Sequence, residues 1–142
     1  MNNKKTITID SDSAKLKQVR EEIDQFLRKN HFSDKIREDI LVAMGEATAN
    51  SIRHAYENKP GHKVEVTLEN YPDKVMFRVR DYGKKINPEK LETKPTLPPT
   101  QPHGLGLYFM KTIMDGFEYN TSHAEGNEVI LTKLKEKPRR TV

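Results

Sequence analysis

The chain has 142 residues, enough for one domain that buries a sizeable core without a metal or disulfide staple. It contains no cysteine, which excludes disulfides and thiolate metal centres and suits a reducing cytosol. Its 25 basic and 21 acidic residues leave a net charge of +4. The basic excess is scattered, and its one dense stretch (KLKEKPRR, 133–140) is broken by Glu136 and lacks aromatics, so direct binding to nucleic acid is not expected. No run approaches the ~20 apolar residues of a membrane span, and no signal-peptide-like run opens the chain. A soluble, cytoplasmic protein without membrane contact is expected.

Lys4 to Ile9 alternates as a strand does. Ser11 or Asp12 can cap a helix that starts near Ser13, with Leu16, Val19, Ile23, Phe26 and Leu27 as its apolar face. Asn30 and His31 end it. Ser33 is the expected N-cap of a second helix, with Asp34 favourable at its positive end. This helix is expected to run to about Tyr56, where Asn58, Pro60 and Gly61 break it. Its apolar face carries Ile36, Ile40, Ala43 and Ala47. Lys63 to Glu69 and Lys74 to Asp81 alternate as the two strands of an antiparallel hairpin, joined by Tyr71, Pro72 and Asp73.

Residues 84–103 hold five prolines and little apolar content, and are expected to form a lid or binding loop, or else a plain insertion. A third helix is expected from Gly104 to Met114, stopped by Asp115 and Gly116. Its apolar positions are Leu105, Leu107, Phe109, Met110, Ile113 and Met114. Phe117 to Thr121 and Glu128 to Lys135 read as closing strands, and residues 136–142 as a loose tail. The order β-α-α-β-β-loop-α-β-β predicts a single α+β domain over 1–142. It would be a two-layer sandwich with a mixed, largely antiparallel sheet and three helices on one face.

Three short stretches carry chemistry. Glu46 and Asn50 are four residues apart on the second helix, so their side chains stack at the edge of its apolar face. Asn50 offers an amide oxygen, a hard donor of the kind Mg²⁺ accepts, and Glu46 can polarise an attacking hydroxyl. Such a pair also occurs on solvated helices. Asp81 and Gly83 follow a strand; the acid can accept from an exocyclic amine such as N6 of adenine. The glycine allows a positive-φ turn and lets a flat ring lie close. Asp-x-Gly is also an ordinary turn. His103-Gly-Leu-Gly-Leu107 opens a helix whose free N–H groups suit phosphate, although a loop-to-helix junction uses the same residues.

Taken together, GEATANSIRHAY, VRDYGKKINPEKL and HGLGLYFMKTIMDGFEY resemble the N, G1 and G2 boxes of the Bergerat-fold (GHKL) ATPases, and most of all the anti-sigma-factor serine/threonine kinases. The resemblance runs from the first strand to about Lys135. It implies ATP and Mg²⁺, with Glu46 as general base and Asn50 as metal ligand. It places Asp81, Gly83 and Ile86 at the base, and His103, Gly104, Leu105, Gly106 and Leu107 at the phosphates. The implied substrate is a Ser or Thr of a small STAS-type anti-anti-sigma protein, with a sigma factor as second partner and a homodimer formed through the first strand. The alternative is a non-catalytic ATP-binding interaction module.

The chain departs from the family pattern in three places. The G1 box has no second glycine. The loop from Lys94 to Gly104 lacks an arginine, leaving Lys94 or Lys111 as the basic phosphate contact. Gly126-Asn127-Glu128 stands where Gly-Thr is usual, so Glu128 is expected to point away from the phosphates or to weaken their binding.

Overall fold

The computed structural model describes residues 3–87, 110–120 and 122–135. The first strand, β1 (Lys4–Asp10), leads into a 3₁₀ turn at Ser13–Lys15, where Asp12 accepts from the Ala14 N–H at 3.0 Å. Helix α1 (Leu16–Lys29) follows, then α2 (Asp34–Asn50). The Ser33 hydroxyl caps α2 through the Ile36 N–H. Past Asn50 the helix does not stop: it widens into one π turn, Ser51–Ala55. The remaining strands are β2 (Lys63–Asn70), β3 (Lys74–Asp81), β4 (Gly116–Asn120) and β5 (Asn127–Leu134). Residues 110–113 are helical; the rest of the expected third helix lies outside the described residues.

The strands form one sheet in the order β1-β2-β3-β5-β4; it was expected to be largely antiparallel, and every pairing is antiparallel. Two of the pairings are hairpins, β2 turning directly into β3 and β4 into β5, and such connections require antiparallel strands. Alternation gives the sheet two unlike faces. One carries Val64, Val66 and Leu68 of β2, Val75, Phe77 and Val79 of β3, and Val129 and Leu131 of β5, all buried. Against this face lie Val19, Ile23, Phe26 and Leu27 of α1 and Ile40, Ala43, Met44 and Ala47 of α2, joined by Met110 and Met114. The other face is polar, with the Glu69–Arg78 pair at 2.8 Å and a Glu128 carboxylate bonded to Asn120 at 3.0 Å.

The apolar face has one polar notch. β3 and β5 align so that Asp81 sits opposite Asn127, next to the Val79–Val129 pair. Both side chains point to the helix side, where the pattern would otherwise place another aliphatic pair. Among the described residues no helix is long and apolar enough to cross a membrane.

Candidate functional site

Asp81 is fully buried. Its Oδ1 accepts three hydrogen bonds: from the Asn127 side-chain amide at 2.9 Å, the Asn127 backbone N–H at 3.1 Å and the Gly83 N–H at 3.1 Å. Its Oδ2 is buried and has no hydrogen-bond partner among the described residues. Burial pushes the carboxyl pKa up, against the lowering effect of the Asn127 side chain, the Gly83 N–H and the nearby Ser51 hydroxyl. A carboxylate with one oxygen held and the other bare is an unfilled acceptor.

Asp81 lines a small pocket that opens to solvent. Asn50, Ser51 and Ala47 of α2 and its π turn form one wall, Ile86 and Met110 another, and Asp81 and Asn127 the floor. Aliphatic side chains beside a buried carboxylate suit a flat heteroaromatic ring that carries an exocyclic amine. Asn50 is only 8% exposed despite its polar side chain, and its Oδ1 accepts from Arg53 Nη2.

Gly83 is required for a different reason from the one expected. Its φ is not positive, unlike those of Gly61 and Gly126. A Cβ there would stand 2.4 Å from the Ala55 carbonyl oxygen and 2.8 Å from the Tyr56 ring. The glycine therefore lets the chain after β3 press against the end of the π turn, where the Lys84 N–H donates to the same Ala55 oxygen at 2.8 Å. Tyr56 completes this junction: its hydroxyl donates to the Lys63 carbonyl at 2.6 Å and accepts from the Tyr82 N–H at 2.7 Å.

Asn127 is the residue whose importance the sequence concealed. Beyond Asp81, its amide donates to the Lys84 carbonyl at 2.8 Å and its Oδ1 accepts from the Ile86 N–H at 2.8 Å. One side chain thus ties the acid to the segment after it. Gly126 makes this possible, with φ +72 and no room for a Cβ, which would fall 2.0 Å from the Asp81 carbonyl oxygen. Glu128, next along β5, points to the opposite face, to His123 at 3.2 Å and Asn120, so its charge faces away from the pocket as alternation demands.

Of the residues singled out by sequence, Asn50, Asp81 and Ile86 therefore meet in one pocket, and Gly83 braces it from behind. Glu46 is half-buried on α2 one turn before Asn50, outside the pocket lining. His103, Gly104, Leu105, Gly106 and Leu107 lie outside the described residues, as do most of 84–103 and Lys94. Lys111 places its ammonium over the Phe117 ring, 5.7 Å from its centre. Among the described residues no cluster of three or more His, Asp or Glu side chains could hold a metal ion unaided. Asn50 would hold one only together with ligand oxygens.

The histidine kinase-like ATPase domain model matches residues 9–133. An anti-sigma F factor of Clostridium beijerinckii is 31% identical over 98 residues, which cover 67% of this chain and 68% of that protein. The serine-protein kinase RsbW of Listeria innocua is 32% identical over 112 residues, 72% of this chain and 68% of its own. In three dimensions the chain resembles a crystal structure of the RsbU and RsbW domains of Rv1364c from Mycobacterium tuberculosis. The TM-score is 0.65 at 19% identity, over 99% of this chain and 35% of that one. The chain belongs to the histidine kinase-like ATPase family, in the group of anti-sigma factors and RsbW-type serine kinases.

Proposed function

We propose that this chain is an ATP-dependent serine/threonine-protein kinase of the partner-switching kind. Its substrate would be a Ser or Thr hydroxyl on a small STAS-type anti-anti-sigma protein, and its second partner a sigma factor. The observation that carries the nucleotide reading is the bare, buried Oδ2 of Asp81 at the floor of a pocket walled in part by Ala47, Ile86 and Met110. An adenine amine donates to that oxygen; Ile86 and Ala47 cover the ring. Asn50 is the one amide oxygen the pocket wall offers to a divalent cation, whose contribution when bound is to neutralise phosphate charge.

Glu46 acts as the general base: it takes the proton of the partner's hydroxyl while that oxygen bonds to the γ-phosphorus and ADP leaves. Phosphate added to the partner repels a docked surface by charge and so resets which partner is held. Purified chain, ATP, MgCl₂ and candidate STAS proteins test this by phosphate transfer. Glu46→Ala should reduce transfer by roughly 10²-fold or more, and an unchanged rate in that variant removes Glu46 from the chemistry. One observation favours a second reading, ATP binding without transfer: Asn50 Oδ1, the oxygen a metal ion would need, already accepts from the Arg53 guanidinium. Tight ATP binding with no transfer to any STAS protein would decide for it.

A further inference from the structure

Arg53 has no part in the roles just described, yet it touches the residue on which the metal reading depends. It follows Asn50 by three residues, inside the π turn Ser51–Ala55, and its Nη2 donates to Asn50 Oδ1. Its Nε–H is buried and finds no acceptor among the described residues. Single π turns within α-helices recur at functional sites, because the extra residue re-aims the side chains around it. Here the turn begins directly after Asn50.

The amide oxygen of Asn50 is the atom that a divalent cation would need. A guanidinium resting on that oxygen and a metal ion bound to it would be like charges in contact with one atom, and they would repel each other. Both cannot stay. We infer that Arg53 is a positioning residue that competes with the divalent cation: its guanidinium satisfies Asn50 Oδ1 while nucleotide is absent, and the cation gains that oxygen only by displacing it. This rests on the proposed reading of Asn50 as the metal ligand. The pose is well suited to displacement. It satisfies the buried amide oxygen, but leaves Nε–H buried and unpaired, which disfavours it. Arg53 therefore protects the oxygen without holding it firmly, and sets the Mg²⁺ concentration at which nucleotide affinity rises.

Calorimetric titration of ATP into the full chain, repeated over a MgCl₂ series, tests the inference. Four proteins are compared: wild type, Arg53→Gln, Arg53→Lys and Asn50→Ala. Removing the competing charge in Arg53→Gln should lower the Mg²⁺ concentration for half-maximal tightening by roughly three- to tenfold. Arg53→Lys keeps the charge and should keep the wild-type midpoint. Asn50→Ala should lose the Mg²⁺ dependence. An unchanged or raised midpoint in Arg53→Gln, with Asn50→Ala behaving as expected, overturns the competition and leaves the metal reading standing. Wild-type Mg²⁺ dependence in Asn50→Ala overturns the metal reading, and the competition with it; so does a wild type that binds no ATP at any Mg²⁺ concentration. If circular dichroism shows Arg53→Gln unfolded, Arg53→Met carries the same expectation, having a similar stem and no charge.

Discussion

Replacing Asn127 by alanine would remove three hydrogen bonds through one small side chain: to Asp81 at 2.9 Å, to the Lys84 carbonyl at 2.8 Å and from the Ile86 N–H at 2.8 Å. The bond to Asp81 is charge-assisted and buried, and such bonds are worth about 1.5–3 kcal/mol. The other two are neutral bonds to backbone groups at the pocket rim, where water can replace part of each; about 0.5 kcal/mol apiece is reasonable. The sum is a loss of about 3 kcal/mol, or a fall in melting temperature of roughly 10 °C for a chain of this size. Urea unfolding measures the stability, with an unchanged slope showing that the denatured state is the same. ATP calorimetry on the same protein should show weaker binding, because Asp81 loses the hydrogen bond that does most to keep it charged. Asn127→Thr keeps a hydroxyl near Asp81 but cannot reach both Lys84 and Ile86, and should fall between the two. A stability within about 0.5 kcal/mol of wild type for Asn127→Ala would refute the claim that this side chain holds the pocket floor.

Gly83→Ala should destabilise by about 2 kcal/mol or more, since its Cβ meets backbone at 2.4 Å and cannot be relieved by a rotamer change; thermal unfolding reads this directly. Gly45→Ala should do the opposite. Gly45 lies mid-helix on α2, and a methyl group at its Cα would meet nothing within 4 Å, so alanine should add about 0.5–1 kcal/mol in the same assay. Asp81 gives a pH prediction. Its folded pKa is raised by burial, so the folded protein holds this proton more tightly than the unfolded chain does. Its contribution to stability is therefore present below the unfolded value and lost as pH rises through the raised folded value. Asp81→Asn should flatten that part of the stability curve. In wild type, ATP affinity should begin to fall on acidification at a higher pH than an ordinary aspartate would give, because the acceptor oxygen is lost when the carboxyl takes its proton.

Local pattern carried the strands and the first two helices. The period-2 alternation of Lys74–Asp81 and the Ser33 cap of α2 depend on neighbours in sequence, and the structure places both where the pattern does. What escaped the pattern depends on contacts distant in the chain. Gly83 looked like a turn residue because Asp-x-Gly usually is one; its true constraint is the Ala55 carbonyl, which arrives from another element. Asn127 drew notice only as part of a Gly-Asn-Glu run standing where Gly-Thr is usual, and only the register of β5 against β3 shows that its amide can serve Asp81, Lys84 and Ile86 together. The π turn after Asn50 leaves no mark in the hydrophobic spacing, because Ile52 and Ala55 are buried just as a continuing α-helix would suggest. Glu128 was legible, since alternation alone sends it to the far face.

The adjacency of β3 and β5 has a consequence for how the chain takes changes in length. These strands are direct neighbours in the sheet, yet the chain leaves one at Asp81 and joins the other only at Asn127. Between them along the chain lie β4 and the core residues Met110 and Met114, and the two ends of this stretch are stapled together by the ladder and by Asn127. Once its ends are fixed, lengthening a flexible loop costs little: doubling it adds about 0.6 kcal/mol of closure entropy. A change of chain length between Asn87 and Met110 should therefore leave the Asp81–Asn127 floor in register.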